Sequence, residues 1–316
     1  MEKIKIAVIG VGYLGKFHAQ KFKGMDNVEL VGLVDVDAEA AGKVAQSLNT
    51  DFFTDYTELF TRVDAVSIAA PTPAHYAISK AFLQNSVDVF IEKPITTQLK
   101  EADELIQIAA DKNLLIQVGH LERFNSAVLA LEEIIEKPRF IESHRLSIYK
   151  PRCTDVSVVL DLMIHDIDII LNLVGSKIKS IHAAGIPVVS EHVDIANARV
   201  EFNNGCVANV TASRISEKNE RKIRIFQPDA YLSVDFAEHK ISVIRQDGAN
   251  EKGLIPGMDI KHHSFKGGDA LDDELRSFVE AVAKRKTPAV TGQMGRDALN
   301  LALNIMDQIK LTSQNY

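Results

Sequence analysis

From residue 4 to about residue 120 the chain alternates short, continuous apolar runs with segments patterned at the helical period. The runs are IKIAVIG (4–10), VELVGLVD (28–35), AVSIAA (65–70), VDVFIE (87–92) and LLIQVG (114–119). Helical patterns fall between them, at about 13–24, 37–48, 74–85 and 97–112. In the last, Leu99, Ala102, Leu105, Ile106 and Ala109 form one stripe behind Thr96 and Thr97 as N-cap candidates. Apolar strands separated by helices predict a parallel sheet covered on both faces, the doubly wound α/β arrangement.

Past residue 120 the texture changes. A strand-like FIESHRLSIYK (140–150) is followed by segments of period 2 at 196–202, 206–213, 220–226, 230–236 and 239–245. In the first of these, Ala196, Ala198, Val200 and Phe202 alternate with Asn197, Arg199 and Glu201. Asn203-Asn204-Gly205 between the first two is a hairpin turn. The pattern predicts an antiparallel sheet with helices, an α+β domain. Residues 246–268 read as a loop, and helices at about 270–285 and 295–312 close the chain. Two domains are expected, 1–120 and 121–316, with the C-terminal helices packing back on the first; the length of 316 residues suits two.

One segment breaks the simple pattern. VVLDLMIHDIDIILN (158–172) is apolar enough for a buried helix yet carries Asp161, His165, Asp166 and Asp168. A buried charge without a partner costs on the order of 3–5 kcal/mol. On a helix, Ser157, Asp161, His165, Asp168 and Asn172 share one seam, and Asp166 falls off it. The seam must face water or a ligand, or pair within itself.

Charge and composition narrow the function. The net charge of −7 and the absence of a basic run argue against nucleic acid. Cys153 and Cys206 form neither a metal-ligand spacing nor a disulfide framework, so a reducing cytoplasm is expected. No metal site is expected: the adjacent His262 and His263 do not chelate as a helical pair. The N-terminal apolar run is short and broken by glycines, unlike a signal peptide, and no segment reaches the ~18 apolar residues of a membrane span.

The chemistry begins at Gly10-Val11-Gly12-Tyr13-Leu14-Gly15, directly after the first strand. Gly10 allows the tight turn, Gly12 lets backbone approach a pyrophosphate, and Gly15 lets helix pack on strand. Asp35 ends the second strand, where a carboxylate accepts the ribose hydroxyls of NAD and repels the 2′-phosphate of NADP. NAD is therefore the expected cofactor, with NADP less favoured; Lys16 is a cation that can still receive a phosphate.

Several ordered motifs extend this reading. Ala70-Pro71-Thr72-Pro73-Ala74-His75, Glu92-Lys93-Pro94, Gly119-His120 with Arg123-Phe124, Asp161-x-x-x-His165 and the helix around Glu274–Phe278, together with the glycine turn, resemble the glucose–fructose oxidoreductase / inositol dehydrogenase / rhizopine catabolism (Gfo/Idh/MocA) family. The resemblance implies a Rossmann domain joined to an open, predominantly antiparallel sheet domain. It also implies hydride transfer between NAD(P) and a hydroxyl carbon of a sugar, cyclitol or related compound. GVGYLGKFHAQKF (10–22), VGHLERFN (118–125) and NGCVANVTASRIS (204–216) look like the bacterial nucleotide-sugar members, UDP-N-acetylglucosamine 3-dehydrogenases that serve lipid A-type glycolipids.

The resemblance assigns expected roles. Lys93, at a strand C-terminus where a doubly wound sheet binds its ligand, hydrogen-bonds the reacting oxygen and stabilises a developing alkoxide; Pro94 after it is expected to be cis. His165 is the general base, and Asp161 anchors a neighbouring hydroxyl. Ala70, Pro71, Thr72, His75 and Glu92 are expected beside the cofactor. His120, Arg123, Tyr149 and Arg152 are expected on the substrate, and Lys150 with Arg152 can hold a diphosphate. Competing readings are a dehydrogenase of a free cyclitol, aldose or dihydrodiol, and a non-catalytic NAD-binding sensor. An apolar open sheet face would need covering, so a homodimer or homotetramer is expected.

Overall fold

The structure is a computed structural model describing residues 3–150, 156–246, 257–265 and 267–313. Arg152 and Cys153 lie outside the described residues.

The chain opens with β1 (Ile4–Ile9), α1 (Gly15–Lys23), β2 (Val28–Val34), α2 (Ala38–Leu48), β3 (Asp51–Phe53), β4 (Ala65–Ile68), α3 (Thr72–Gln84), β5 (Asp88–Glu92), α4 (Leu99–Lys112) and β6 (Ile116–Gly119). The six strands form one parallel sheet in the order β3-β2-β1-β4-β5-β6, which reverses direction between β1 and β4. That switch point is where open α/β sheets bind their ligands. Local chemistry sets the helix ends. Asp37 accepts the N–H groups of Glu39 and Ala40 to start α2, and Asn49 and Asn113 turn left-handed to end α2 and α4. The cap of α4 is a Gln98/Glu101 capping box, one residue past the Thr96–Thr97 pair that the pattern suggested. The edge strand β3 is three residues long, too short for a periodicity to show.

The rest of the sheet structure follows. It comprises α5 (Ser126–Ile134), β7 (Phe140–Leu146), a π-helical turn at Val159–Met163, α6 (Ile164–Val174), β8 (Ile178–Ile186), β9 (Ile195–Phe202), β10 (Val207–Ser213), β11 (Glu220–Gln227), β12 (Ala230–Asp235), β13 (Lys240–Gln246) and β14 (Met258–Ser264). The eight strands run β14-β13-β12-β11-β7-β10-β9-β8, antiparallel throughout except for the β7–β10 pair. The Asn203–Gly205 turn closes the β9–β10 hairpin, with Gly205 at φ 85°. Part of the expected loop at 246–268 is strand β14, and β8 was invisible because its apolar positions do not alternate.

One face of this sheet buries Ile141, Ala198, Val200, Val210, Ile223, Ile225, Leu232 and Val234, with α6 against β7 and β10. The other face carries Glu142, His144, Asn197, Arg199, Asn209, Thr211, Lys222 and Arg224, relieved by a Phe140–Phe226–Tyr231 aromatic cluster. The expectation of an apolar open face is thus corrected. Outward positions are mostly polar, and water suits them.

The helices α7 (Ala270–Lys284) and α8 (Gly292–Ser313) end the described chain. Two compact units result. The first holds residues 1–121 with 269–299, and the second holds 122–268 with 300–316. In the first, Leu275, Phe278, Val279 and Val282 of α7 join the core of Ile6, Val8, Phe22 and Phe90, the Phe278 and Phe90 rings meeting edge-on at 5.7 Å.

Candidate active site

In the first unit the glycine turn has the shape a dinucleotide requires. Gly10 sits at φ 90°, and a Cβ there would lie 2.6 Å from the Ala70 nitrogen. A Cβ on Gly15 would lie 1.8 Å from the Gly10 carbonyl oxygen. Both glycines are therefore demanded by packing alone. Gly12 differs: a Cβ there would meet nothing within 4 Å, so the protein itself places no demand on that position. Open space at the start of α1 is what a pyrophosphate needs for close approach to backbone N–H groups. Tyr13 and Leu14, which border it, are 65% and 42% exposed.

Asp35 lies beside this turn. Its Oδ2 accepts the Val11 N–H at 2.9 Å and its Oδ1 the Asp37 N–H at 3.1 Å. Each carboxylate oxygen keeps a second acceptor site, enough for two ribose hydroxyls. The residues present fit a nicotinamide dinucleotide.

At the C-terminal ends of β4 and β5 the side chains form a tied network. His18 of α1 is fully buried, with Nδ1 2.8 Å from Ser67 Oγ and Nε2 3.1 Å from Glu92 Oε1. Glu92 Oε2 accepts the Lys93 N–H at 3.2 Å. Burial pushes the Glu92 carboxyl up, but the hydrogen bond and charge of His18, joined by Lys93, outweigh it and hold the group below its usual range. Gly119 leaves the room: a Cβ there would stand 3.0 Å from the Glu92 carboxylate. Glu92, expected at the cofactor, is thus bound from within to His18 and to the Lys93 backbone. The Lys93–Pro94 peptide is cis.

His75 is placed similarly. It is buried, its Nδ1 faces the Pro94 carbonyl at 2.9 Å, and its Nε2 faces the Ala70 carbonyl at 2.8 Å. Both polar atoms are occupied by backbone, so the ring clamps the Ala70 turn to the Pro94 turn instead of offering a polar contact to a cofactor. Pro71 precedes α3, which starts at Thr72.

In the second unit the structure divides the seam of the charged helix. The turn through Asp161 is π-helical, so the regular four-residue alignment assumed from the sequence does not run through it. Asp161 and His165 are half-buried. Further along, Asp168 is buried and stands 3.9 Å from Arg123, which in turn stands 3.7 Å from Glu132; Asn172 donates to Glu132 at 2.8 Å. That half of the seam is an internal ladder. Arg123, expected on the substrate, belongs to it and is buried, and His120 is buried as well.

Asp166, off the seam, finds its partner in β7. Arg145 binds it with two parallel hydrogen bonds of 2.8 and 3.0 Å and donates a third of 2.8 Å to Glu122. Burial works against the Arg145 charge, yet Asp166 and Glu122 outweigh it and raise the group above its usual range. Burial likewise pushes Glu122 up, and Arg145 with Arg221 brings it net below its usual range.

Beside Asp161 the second unit holds a pocket of about 170 Å³, lined by Ser147, Ile148, Lys150, Asp161, Leu162, Arg214 and Arg221. Tyr149, between two lining residues, is 44% exposed. Ser147, Arg214 and Arg221 escaped the sequence reading because nothing in their spacing connects them. Sheet register does: Leu146 at the end of β7 pairs with Ser213 on one side and Glu220 on the other. The next residue on each strand is a pocket residue. No group of histidine, cysteine and acidic side chains among the described residues is arranged for a metal. No helix among them is long and apolar enough to cross a membrane.

Comparison with known proteins agrees with this architecture. The profile of an oxidoreductase family with an NAD-binding Rossmann fold matches residues 4–120, and that of the GFO/IDH/MocA C-terminal domain matches residues 140–232. UDP-N-acetylglucosamine 3-dehydrogenase of Acidithiobacillus ferrooxidans is 38% identical over 306 residues, 96% of this chain and 97% of the relative. Its crystal structure superposes with a TM-score of 0.94 at 37% identity, covering 98% of this chain and 99% of that one. Myo-inositol 2-dehydrogenase of Thermotoga maritima is 25% identical over 317 residues, 94% of each chain. A glycine turn shaped for a dinucleotide, the switch-point sheet and these matches over nearly the whole length lead to one statement: the chain belongs to the Gfo/Idh/MocA family of oxidoreductases.

Proposed function

We propose that this protein oxidises the C3 hydroxyl of UDP-N-acetylglucosamine with NAD as the hydride acceptor. The observation that carries the reading is the division of the charged helix. Asp166 and Asp168 are buried against Arg145 and Arg123, while Asp161 and His165 stay half-buried and Asp161 lines a pocket with three cations. The relative of 38% identity, which carries that activity in its name, supports the substrate.

When bound, the nicotinamide supplies the hydride acceptor. His165 takes the hydroxyl proton, Lys93 stabilises the negative charge growing on the same oxygen, and Asp161 accepts a hydrogen bond from a neighbouring hydroxyl. Asp35 favours NAD over NADP through its charge beside the ribose position. Lys16, the cation able to serve a 2′-phosphate, lies instead 5.4 and 5.1 Å from the Tyr13 and Phe17 ring centroids. A cytoplasmic setting completes the reading.

Incubation with NAD and, separately, UDP-N-acetylglucosamine, myo-inositol, glucose and N-acetylglucosamine tests it through NADH absorbance. Turnover is expected with the nucleotide sugar, and His165→Asn is expected to lower kcat by roughly 10²–10⁴. Turnover of inositol alone would move the substrate to the cyclitols. Tight NAD binding without turnover of any compound would make the protein a sensor.

A further inference from the structure

We propose that the pocket of Lys150, Arg214 and Arg221 is a diphosphate subsite that holds the phosphates of a nucleotide sugar while Asp161 addresses its sugar ring. The proposal rests on the nucleotide-sugar reading above and assigns the part of the substrate that reading leaves unplaced.

The pocket lies wholly in the second unit and is built by three neighbouring strand ends. Ser147 follows β7, Arg214 follows β10, and Arg221 stands near the start of β11. The Ser147 N–H donates to the Ser213 carbonyl at 2.8 Å, and the Ser216 N–H to the Ser147 carbonyl at 3.0 Å, which ties the rim together. Lining cations outnumber the lining anion, Asp161.

The acids nearest the two arginines are held mainly by other groups. Glu122 stands 3.5 Å from Arg221 but is bonded to Arg145 at 2.8 Å. Asp194 stands 3.7 Å from Arg214, while its Oδ2 accepts the N–H groups of Val188, Val189 and Ser190 at 2.7, 2.7 and 3.0 Å. Arg214 is buried and fixed by a hydrogen bond to the Val156 carbonyl, so it forms the rigid floor. Arg221 has a side chain 56% exposed, and Lys150 is exposed with no acid within ion-pair distance among the described residues, so these two are the adaptable walls. A planar guanidinium has five N–H donors, and on Arg221 one long-range acid leaves most of the fork available to phosphate oxygens.

The lining acid, Asp161, narrows the class of ligand. An anion site alone would not place a carboxylate in the same cavity. In a sugar linked to a diphosphate through C1, the ring carbon that bears the phosphate and the one that bears the C3 hydroxyl are separated only by C2. A pocket of about 170 Å³ with cations and Asp161 in its lining matches that short span. The glycine turn serves the pyrophosphate of the cofactor, so the ligand here is a second diphosphate, carried by the substrate.

The test uses the full-length protein with saturating NAD, and the variants Lys150→Gln, Arg221→Gln and both together. These side chains are exposed, so the fold is expected to survive, and unchanged NAD affinity with an unchanged unfolding midpoint checks that. Calorimetry reads UDP and inorganic pyrophosphate; initial rates read UDP-N-acetylglucosamine. Each single variant is expected to raise the UDP Kd and the nucleotide-sugar KM about tenfold, the loss of one charge-assisted contact, with kcat at saturation within about threefold. Turnover by the double variant at an unchanged KM would overturn the subsite and leave the proposed reaction standing. UDP binding that depends on Lys150 and Arg221, in a protein that does not turn over UDP-N-acetylglucosamine, would keep the subsite and overturn the reaction. Failure of the parent protein to bind either UDP or pyrophosphate would overturn the subsite.

Discussion

The glycine turn of the first unit and the basic pocket of the second are both assigned to phosphate, and they are made in opposite ways. The turn works by what is absent: Gly10 and Gly15 leave no room for a Cβ, and Gly12 leaves room that the protein does not fill. Its donors are backbone N–H groups at a helix start, whose placement follows from the fold. The pocket works by long cationic side chains gathered from three strand ends. Such side chains need carboxylates around them to fix their positions, and the second unit is correspondingly rich in buried ion pairs. The comparison predicts that substitutions in the buried ion pairs of the second unit should act on stability, whereas one glycine of the first should act on ligand alone.

The largest effect is expected at Asp166→Asn. Asp166 is 1% exposed and takes two of the three hydrogen bonds that Arg145 makes to carboxylates. Removing one charge of a buried pair leaves the other uncompensated and costs about 3–5 kcal/mol. Urea unfolding should show the loss as a lowered midpoint. Replacing both partners, Arg145→Met with Asp166→Leu, should cost less than the single change, since no charge is then stranded. A single variant as stable as the parent protein would show that the pair is not what holds α6 to β7.

A smaller effect is expected from acid. Burial pushes the Asp194 carboxyl up, but the three backbone N–H groups and the Ser190 hydroxyl outweigh it and hold the group at about 2, against an ordinary 3.8. A folded value below the unfolded one means that the ionised form stabilises the fold. That stability is complete above about pH 4 and is lost as pH falls through 2. Asp194→Asn should therefore shrink the stability difference between pH 5 and pH 2 by about 2 kcal/mol. Equal acid sensitivity of variant and parent protein would remove Asp194 from this role.

How much of this was legible in the sequence follows the same division. The parallel sheet, its order of elements and the glycine turn were readable because each is encoded in consecutive residues: apolar runs, a helical stripe and a six-residue motif. The antiparallel hairpin at Asn203–Gly205 was readable for the same reason. Edge strands β3 and β8 were missed, since β3 is only three residues long and the apolar positions of β8 do not alternate. The seam of the charged helix was read as one surface, but its two halves differ in partners contributed by Arg123, Glu132 and Arg145 from other elements. Spacing along one helix specifies which side chains share a face. What that face meets depends on residues far away in the chain. His75 shows the limit most plainly: it was expected beside the cofactor, and only the structure shows both ring nitrogens facing backbone carbonyls.

The smallest effect sharpens the comparison most. Gly12→Ala adds a Cβ where nothing lies within 4 Å, and Gly12 has no left-handed backbone to strain. The variant should unfold within about 0.5 kcal/mol of the parent protein, as expected of a change away from any packed feature. Its NAD affinity should nevertheless fall at least about tenfold, or about 1.4 kcal/mol, because the added methyl occupies the space a pyrophosphate needs to reach the backbone. Gly10→Ala is the contrasting variant: at φ 90°, with the Ala70 backbone 2.6 Å from the new carbon, it should lower stability and NAD affinity together. Titration of NAD by fluorescence, alongside thermal unfolding without NAD, separates the two effects. Full NAD affinity in Gly12→Ala would mean that the open space beside Gly12 is not the phosphate seat. A loss of stability equal to that of Gly10→Ala would mean that the turn is shaped by packing throughout, as the second unit's pocket is.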